Sequence, residues 1–389
     1  MKISVVIPCY NCEEYISKTI RSLLEQTISP LEIILINDAS TDKTLDILRE
    51  IEKERYDIVR IINLDNNKGA SYARNHGVQI SKGDYILFMD SDDIAESELM
   101  EKILFRLEDL NNKGKSKYIL CYSAYLQIDQ NDIVIDGISR GIQVEPEETL
   151  GYEFVRNYIM STSGVLVNKE CFIKLGGFNE NIVYSEDWDL WLRIARIGGF
   201  AYVDEPLVRL RRHGKNMSSN ISRMLEAEKN ILKQYNTEYI KNAIFKRKLN
   251  IEVNAVDYVS ILFRLEKWED GFLELKELLE KGYDFYNLYF YLGLYYLKNK
   301  NFKKALEYFN KTINIKNDHG AALNNVGALS LLYSDKKTAK KYLDLAISYF
   351  PSYMDANNNY KLLDKEIISL EKLKFTWREL RKVLTNYNG

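Results

Sequence analysis

Two hydrophobic periods alternate through residues 1–110, and few folds accommodate that alternation. Ile3 to Ile7, Leu31 to Ile36, Ile58 to Ile62 and Tyr85 to Met89 are short apolar or β-branched runs, the pattern of strands covered on both faces. Between them the spacing predicts helices over Tyr15 to Gln26, Thr44 to Glu54 and Ala70 to Ile80. Ser81-Lys82-Gly83 stops the third. This β-α-β-α-β-α-β order implies an α/β domain on a Rossmann-like, mostly parallel sheet with right-handed crossovers. Ligands of such sheets bind beyond the carboxyl ends of the strands, where Asp38 and Asp90 both fall.

The loop after the first strand, Pro8-Cys9-Tyr10-Asn11-Cys12, has no glycine, so the dinucleotide fingerprint is missing. No P-loop motif occurs anywhere. A sugar-nucleotide pyrophosphorylase is disfavoured for the same reason, since it needs a Gly-rich basic loop there. After the fourth apolar run comes Asp90-Ser91-Asp92-Asp93. Three adjacent carboxylates repel one another unless something positive sits among them. A divalent metal is the usual remedy, and oxygen ligands favour Mg²⁺ or Mn²⁺, which in turn favour phosphates. The competing reading is an Asp-rich turn that caps a helix starting near Ser97.

From about Ile221 the chain becomes helix after helix. Leu292-Gly293 recurs as Val326-Gly327, Ala305 as Ala339 and Phe309 as Leu343, a period of 34, with Pro351 closing the unit. The pattern resembles the tetratricopeptide repeat (TPR), in which small residues let paired helices approach closely. An earlier unit runs from about Ala255 to Leu279, and Ile367 to Tyr387 reads as a final amphipathic helix. The expected division is a catalytic domain over 1–220, a helical linker over 221–250 and a TPR-like domain over 251–389. A non-repetitive helical domain is the competing reading.

The net charge of −2 conceals an acidic first half, −9 over residues 1–220, and a basic second half, +7 over 221–389. A bound cation would offset part of the acidity. The basic charge, spread over helices, reads as solvated surface, so no nucleic-acid partner is expected. No apolar run approaches the ~18 residues needed to cross a bilayer, and no secretory leader is evident. Four cysteines are too few to staple such a chain, and Cys9 with Cys12 lacks a second zinc-ligand pair. A reduced, cytoplasmic protein is expected; a homodimer is left open.

Several blocks in order resemble the family 2 glycosyltransferases. They are Ile3 to Asn11, Asn37-Asp38-Ala39-Ser40-Thr41-Asp42, Asn67 to Asn75 and Asp90-Ser91-Asp92. Gly176-Gly177-Phe178-Asn179-Glu180, Glu186-Asp187-Trp188-Asp189-Leu190 and Arg211-Arg212-His213 complete the series, which covers about 1–215. The resemblance implies a GT-A fold, a nucleotide-sugar donor (a UDP-sugar foremost), Mn²⁺ or Mg²⁺, and inverting hexosyl or N-acetylhexosaminyl transfer to a hydroxyl of a glycan or polypeptide. It implies Asp92 as a metal ligand, His213 as a second, and Asp90 at the ribose or at the metal through water. Pro8, Tyr10, Asn11, Asp38, Arg74 and Ser91 would bind the donor, Asp38 at the uracil ring and Arg74 at the diphosphate. Asp187 would be the base, with Glu186 and Trp188 on the acceptor side. Read without the family, Asp38 is a helix cap, Arg74 a salt bridge, His213 a surface residue, and Trp188 core.

Asn37 stands where the family more often has Asp, and Ala39 where Gly is usual. The helical domain would recruit the acceptor or a protein partner. The alternative is a TPR scaffold whose first domain binds nucleotide without catalysis, against which Asp90, Asp92 and Asp187 together stand.

Overall fold

The computed structural model describes residues 1–114, 117–213, 221–365 and 368–380. It divides into two units, Met1–Lys248 and Leu249–Gly389.

The first unit is built on an eight-stranded sheet. Four parallel strands come from the alternating segment: β1 (Ile3–Cys9), β2 (Glu32–Asn37), β3 (Val59–Asn63) and β4 (Tyr85–Phe88). The rest are β5 (Ile94–Ala95), β6 (Tyr118–Ile128), β7 (Val165–Asn168) and β8 (Gly199–Arg211). The order is β3-β2-β1-β4-β7-β6-β8-β5, with β7 antiparallel to both β4 and β6 and with β8 parallel to β6. The sheet is therefore mixed, and its parallel half is the half that the sequence periodicity predicts.

Period-2 alternation explains how β1 serves two cores. Ile3, Val5 and Ile7 pack against α1 (Ile16–Leu24) and α4 (Leu99–Lys113) through Ile16, Ile20, Leu23 and Ile103. Val6 faces the other way, onto Val78 of α3 (Ala70–Ile80), Phe172 of α6 (Lys169–Lys174), and Leu190 and Trp191 of α7 (Glu186–Ala195). Cys9 and Cys12 are buried in the first of these cores, and all four cysteines are free thiols. Helix α2 (Thr44–Glu54) begins where Asp42 Oδ1 accepts from the Thr44 amide at 2.9 Å, so Asp42 and not Asp38 tends that helix start. Helix α5 (Pro146–Val155) packs on α7, and its proline sits in the first turn, where no intrahelical amide is lost. Residues 221–250, expected as a linker, hold α8 (Ile221–Leu232) and α9 (Thr237–Ile244), which cluster with the first unit.

Among the described residues, the regular structure of the second unit is helical: α10 (Ile251–Arg264), α11 (Trp268–Glu280), α12 (Tyr286–Lys298), α13 (Phe302–Ile315), α14 (Gly320–Leu332), α15 (Lys336–Tyr349) and α16 (Met354–Tyr360). Helices α11, α13 and α15 begin at 268, 302 and 336, and α12, α14 and α16 at 286, 320 and 354, a spacing of 34 in both series. The small residues let the paired helices close up: a Cβ on Gly293 would lie 2.5 Å from Phe309, and one on Gly327 2.7 Å from Leu343.

The helix expected over 367–387 is not formed in its described part. Residues 368–380 make one 3₁₀ turn, Leu370–Lys372, and then run extended, because buried asparagines of α14 and α16 satisfy the main chain that a helix would have paired internally. Residues 367 and 381–387 lie outside the described residues. Among the described residues, no helix is long and apolar enough to cross a membrane.

Candidate active site

Strands β1, β2 and β4 run parallel and end at one edge of the sheet. Two antiparallel steps, β4 to β7 and β7 to β6, followed by a parallel one, bring the end of β8 to that same edge. Thus the Asp90–Asp93 turn and Arg211-Arg212-His213, more than a hundred residues apart, arrive together.

Each of the three carboxylates has its own donors, which is how the turn tolerates their repulsion. Asp90 Oδ1 accepts from Arg74 Nη2 at 2.7 Å and from Thr162 Oγ1 at 3.0 Å. Asp92 Oδ2 lies 2.9 Å from His213 Nε2. Asp93 is buried, with Oδ1 accepting from the Arg211 amide at 2.7 Å and Oδ2 from the Ser163 hydroxyl. Burial, and then the neighbouring aspartates, push the Asp92 and Asp93 carboxyls upward. The Arg211 guanidinium donates to the Asp92 carbonyl at 2.8 Å and lies 4.6 Å over the Tyr15 ring, on which His213 also stacks at 5.5 Å. Ser91 gives its carbonyl to Thr19 Oγ1 at 3.0 Å.

Arg74 joins this turn to α7. It is buried, pairs Asp90 with Nη2 and reaches Glu186 Oε1 with Nη1 at 3.3 Å. Burial pulls its pKa down, but the charges of Asp90 and Glu186 outweigh that, and the net shift is upward. The neighbouring Asn75 fixes the Gly-Gly-Phe loop: its Oδ1 accepts from the Phe178 amide at 2.8 Å and its Nδ2 donates to the Phe178 carbonyl at 2.9 Å. Gly177 has φ +68°, and a Cβ there would stand 2.4 Å from Asn75 Oδ1. Gly177→Ala is therefore expected to cost about 1–3 kcal/mol, read as a lowered urea midpoint with an unchanged slope.

Asp187 is half-buried at the start of α7, after Ser185 in a left-handed conformation. Its Oδ1 accepts from the Trp188 amide at 2.7 Å and its Oδ2 from Asn157 Nδ2 at 3.3 Å. Burial, and then the Glu186 charge, push its pKa up to about 7, despite the pull of Arg74. Trp188 is fully buried and donates its indole N–H to the Glu153 carbonyl at 2.9 Å. It packs α7 onto α5 and presents no acceptor wall, so its assignment to the acceptor side is corrected.

Asp38 is buried, and both its oxygens are taken by main chain, Oδ1 by the Lys68 amide at 2.7 Å and Oδ2 by the Gly69 amide at 2.8 Å. It latches the loop that opens α3. Beside it, buried Asn37 donates to Asn63 Oδ1 at 2.5 Å while its own Oδ1 has no donor among the described residues. Asn11 accepts from the Thr41 amide at 2.8 Å and donates its own amide to Ser40 Oγ at 3.1 Å, joining the loops after β1 and β2. Ala39 takes φ +56°, which explains why glycine suits that position. Tyr10 is exposed and Pro8 half-buried at the same end of β1.

Sequence reasoning missed Thr162, Ser163, Tyr15, Arg211 as a bridging group, and Glu153. Only Arg211, inside a recognised block, left a signal. Glu153 is a buried carboxyl; burial above all, with a smaller push from the Asp187 charge, raises its pKa well above the usual range, and its Oε2 has no partner among the described residues.

Among the described residues, no group of three or more His, Cys, Asp or Glu side chains is gathered as a metal cluster. Asp92 and His213 stand together as one carboxylate and one imidazole, donor types of the kind that could hold Mn²⁺.

Residues 4–114 match the family described as Glycosyl transferase family 2. An uncharacterized glycosyltransferase of Haemophilus influenzae is 32% identical over 271 residues, 67% of this chain and 79% of that protein. The UDP-Glc:alpha-D-GlcNAc-diphosphoundecaprenol beta-1,3-glucosyltransferase WfaP of Escherichia coli is 32% identical over 237 residues, 59% of this chain and 85% of that protein. The crystal structure of S. aureus TarS 1-349 in complex with UDP-GlcNAc shares the fold, with a TM-score of 0.50 at 20% identity, over 90% of this chain and 91% of that chain. The chain belongs to the family 2 glycosyltransferases, enzymes that transfer a sugar from a nucleotide-sugar donor.

Proposed function

We propose that this enzyme is an inverting transferase that moves a hexosyl or N-acetylhexosaminyl unit from a UDP-sugar to a hydroxyl of a glycan, in a divalent-metal-dependent reaction. The observation that carries this reading is the Arg74 bridge. One buried guanidinium pairs Asp90 and Glu186, so the diphosphate end and the Asp187 end belong to one site. The Escherichia coli relative takes UDP-Glc and acts on a saccharide, which supports the donor and acceptor classes.

Asp187 accepts the proton of the acceptor hydroxyl as that oxygen attacks the anomeric carbon and the bond to the UDP β-phosphate breaks. Asn157 and the Trp188 amide hold the carboxylate in place while it does so. Arg74 supplies positive charge beside the departing diphosphate. The unpaired Oδ1 of Asn37 is the acceptor left for the N–H of the uracil ring, while Asp38 keeps the neighbouring loop closed over it. Asp92 and His213 would hold the metal, which when bound stabilises charge on the leaving group. The helical unit recruits the acceptor-bearing partner.

Thermal unfolding with UDP and Mn²⁺, against UDP and EDTA, tests this. At about 100 times its dissociation constant, UDP with metal is expected to add roughly 2.7 kcal/mol, and Asp92→Asn is expected to remove that gain. Equal stabilisation with and without EDTA would sink metal dependence. No response to UDP, together with a response to another nucleoside diphosphate, would sink the uridine assignment.

A further inference from the structure

Within the helical unit, Asn324 and Asn325 on α14 and Asn359 on α16 are fully buried. A buried amide is costly unless its N–H and C=O are paired, so three together need a reason beyond packing. Their partners are mostly main chain. Asn325 accepts from the Thr376 amide at 2.8 Å and donates to the Thr376 carbonyl at 2.9 Å. Asn359 grips Lys374 in the same way, accepting from its amide at 2.8 Å and donating to its carbonyl at 2.7 Å. Asn324 donates to the Lys374 carbonyl at 2.9 Å and to Thr376 Oγ1 at 3.1 Å.

Lys374 and Thr376 are alternate residues of an extended segment, whose main-chain groups point the same way. Two bidentate amides therefore read it as a neighbouring strand would. Side chains add a coarser selection. Leu373 is buried in the core formed by α14, α15 and α16, Phe375 packs at its margin, and the Thr376 hydroxyl donates to Asp355 Oδ2 at 2.8 Å. The Lys374 side chain is exposed.

We infer that this face of the helical unit is a peptide-binding groove, and that residues 373–377 occupy it as a built-in competitor of an extended segment from another polypeptide. The partner segment carries apolar residues at two alternate positions followed by Thr or Ser, as in Leu373-Lys374-Phe375-Thr376. Because the strongest contacts are to main chain, the groove accepts sequences that share only that pattern. Release of the resident segment strips all three amides of their main-chain partners, while the 2.8 Å bond from Asn359 Nδ2 to Asn324 Oδ1 remains, so the groove exchanges occupants and does not stand empty. The inference is independent of the transfer reaction, and so is its test.

The test uses the full chain and a fluorescein-labelled synthetic peptide of residues 368–380, read by anisotropy. Phe375→Ala in the chain weakens the resident segment and leaves the groove intact. It is expected to tighten binding of the labelled peptide by about tenfold or more relative to the unaltered chain. A peptide with Lys374→Ala is expected to bind within about threefold of the original, and one with Thr376→Ala about tenfold more weakly. Adding Asn325→Ala to the Phe375→Ala chain should abolish binding. A second format avoids dependence on that variant: a protease site introduced at the exposed pair Asp364-Lys365 is cut, and the labelled peptide should then exchange into the cut chain. Absence of saturable binding to the Phe375→Ala chain up to about 1 mM, with no exchange in the cut chain, overturns the proposal. So does a chain that sediments as a dimer and is converted to monomer by the peptide, which would assign the groove to a second copy.

Discussion

Asp187→Asn is expected to lower kcat by about 10²–10⁴-fold while leaving UDP affinity unchanged. The amide keeps the shape of the carboxylate and can still accept from the Trp188 amide, so α7 retains its first turn. What it loses is the ability to take a proton. UDP release followed in the presence of acceptor measures the loss, and UDP-induced thermal stabilisation checks that donor binding survives. A loss of less than about tenfold would move the base elsewhere, with Glu186, bound to Arg74 at 3.3 Å, as the next residue to test.

The same carboxyl, as the proposed base, is expected to set the pH dependence. Burial, and then the adjacent Glu186, raise Asp187 to about 7, so the free enzyme carries this carboxyl protonated at lower pH. A base works only when deprotonated. In consequence kcat/KM is expected to fall about tenfold per pH unit below that value and to level off above it. The sign follows from the direction of the shift, since a carboxyl at its ordinary value would give a flat profile from pH 5 upward. Glu153, a neighbouring buried carboxyl, is likewise pushed well above its usual range by burial.

The parts of the molecule legible in the sequence are those set by local periodicity. Strands β1 to β4 and helices α1 to α3 fall within a few residues of their expected bounds, because a strand buried on both faces must be apolar along its length. The 34-residue repeat was legible through Gly293 and Gly327, whose missing side chains admit Phe309 and Leu343. The antiparallel insertion of β7 was not, since nothing in Val165–Asn168 encodes its direction. Residues 368–380 were misread as helix because an amphipathic pattern describes side chains alone. Their main chain answers to asparagines about 15 to 50 residues away in sequence. In the site, the carboxylates were visible as types, but their donors were not. Asp38 looked like a ligand group, and its two oxygens turned out to be committed to Lys68 and Gly69. Thr162 and Ser163 reach Asp90 and Asp93 only because β7 is laid beside β4.

Arg74→Met should be the most destabilising single change in the site. The guanidinium is buried and holds two carboxylates that belong to different structural elements, Asp90 after β4 and Glu186 at the head of α7. Methionine fills much of the volume but leaves both charges facing an apolar wall, where breaking such a pairing costs about 3–5 kcal/mol. For a unit of this size that corresponds to a fall in Tm of roughly 6–20 °C. Arg74→Lys separates charge from geometry, because a single ammonium cannot fork to both carboxylates as the guanidinium does. It is expected to recover part of the stability and little of the activity. Adding Asp90→Asn to Arg74→Met should restore stability, since it removes one of the two stranded charges, whereas kcat should stay low. If the double variant is as unstable as the single one, the Arg74–Asp90 contact is incidental. The link between the Asp90–Asp93 turn and α7 must then be sought in the Asn75 contacts with the Phe178 loop.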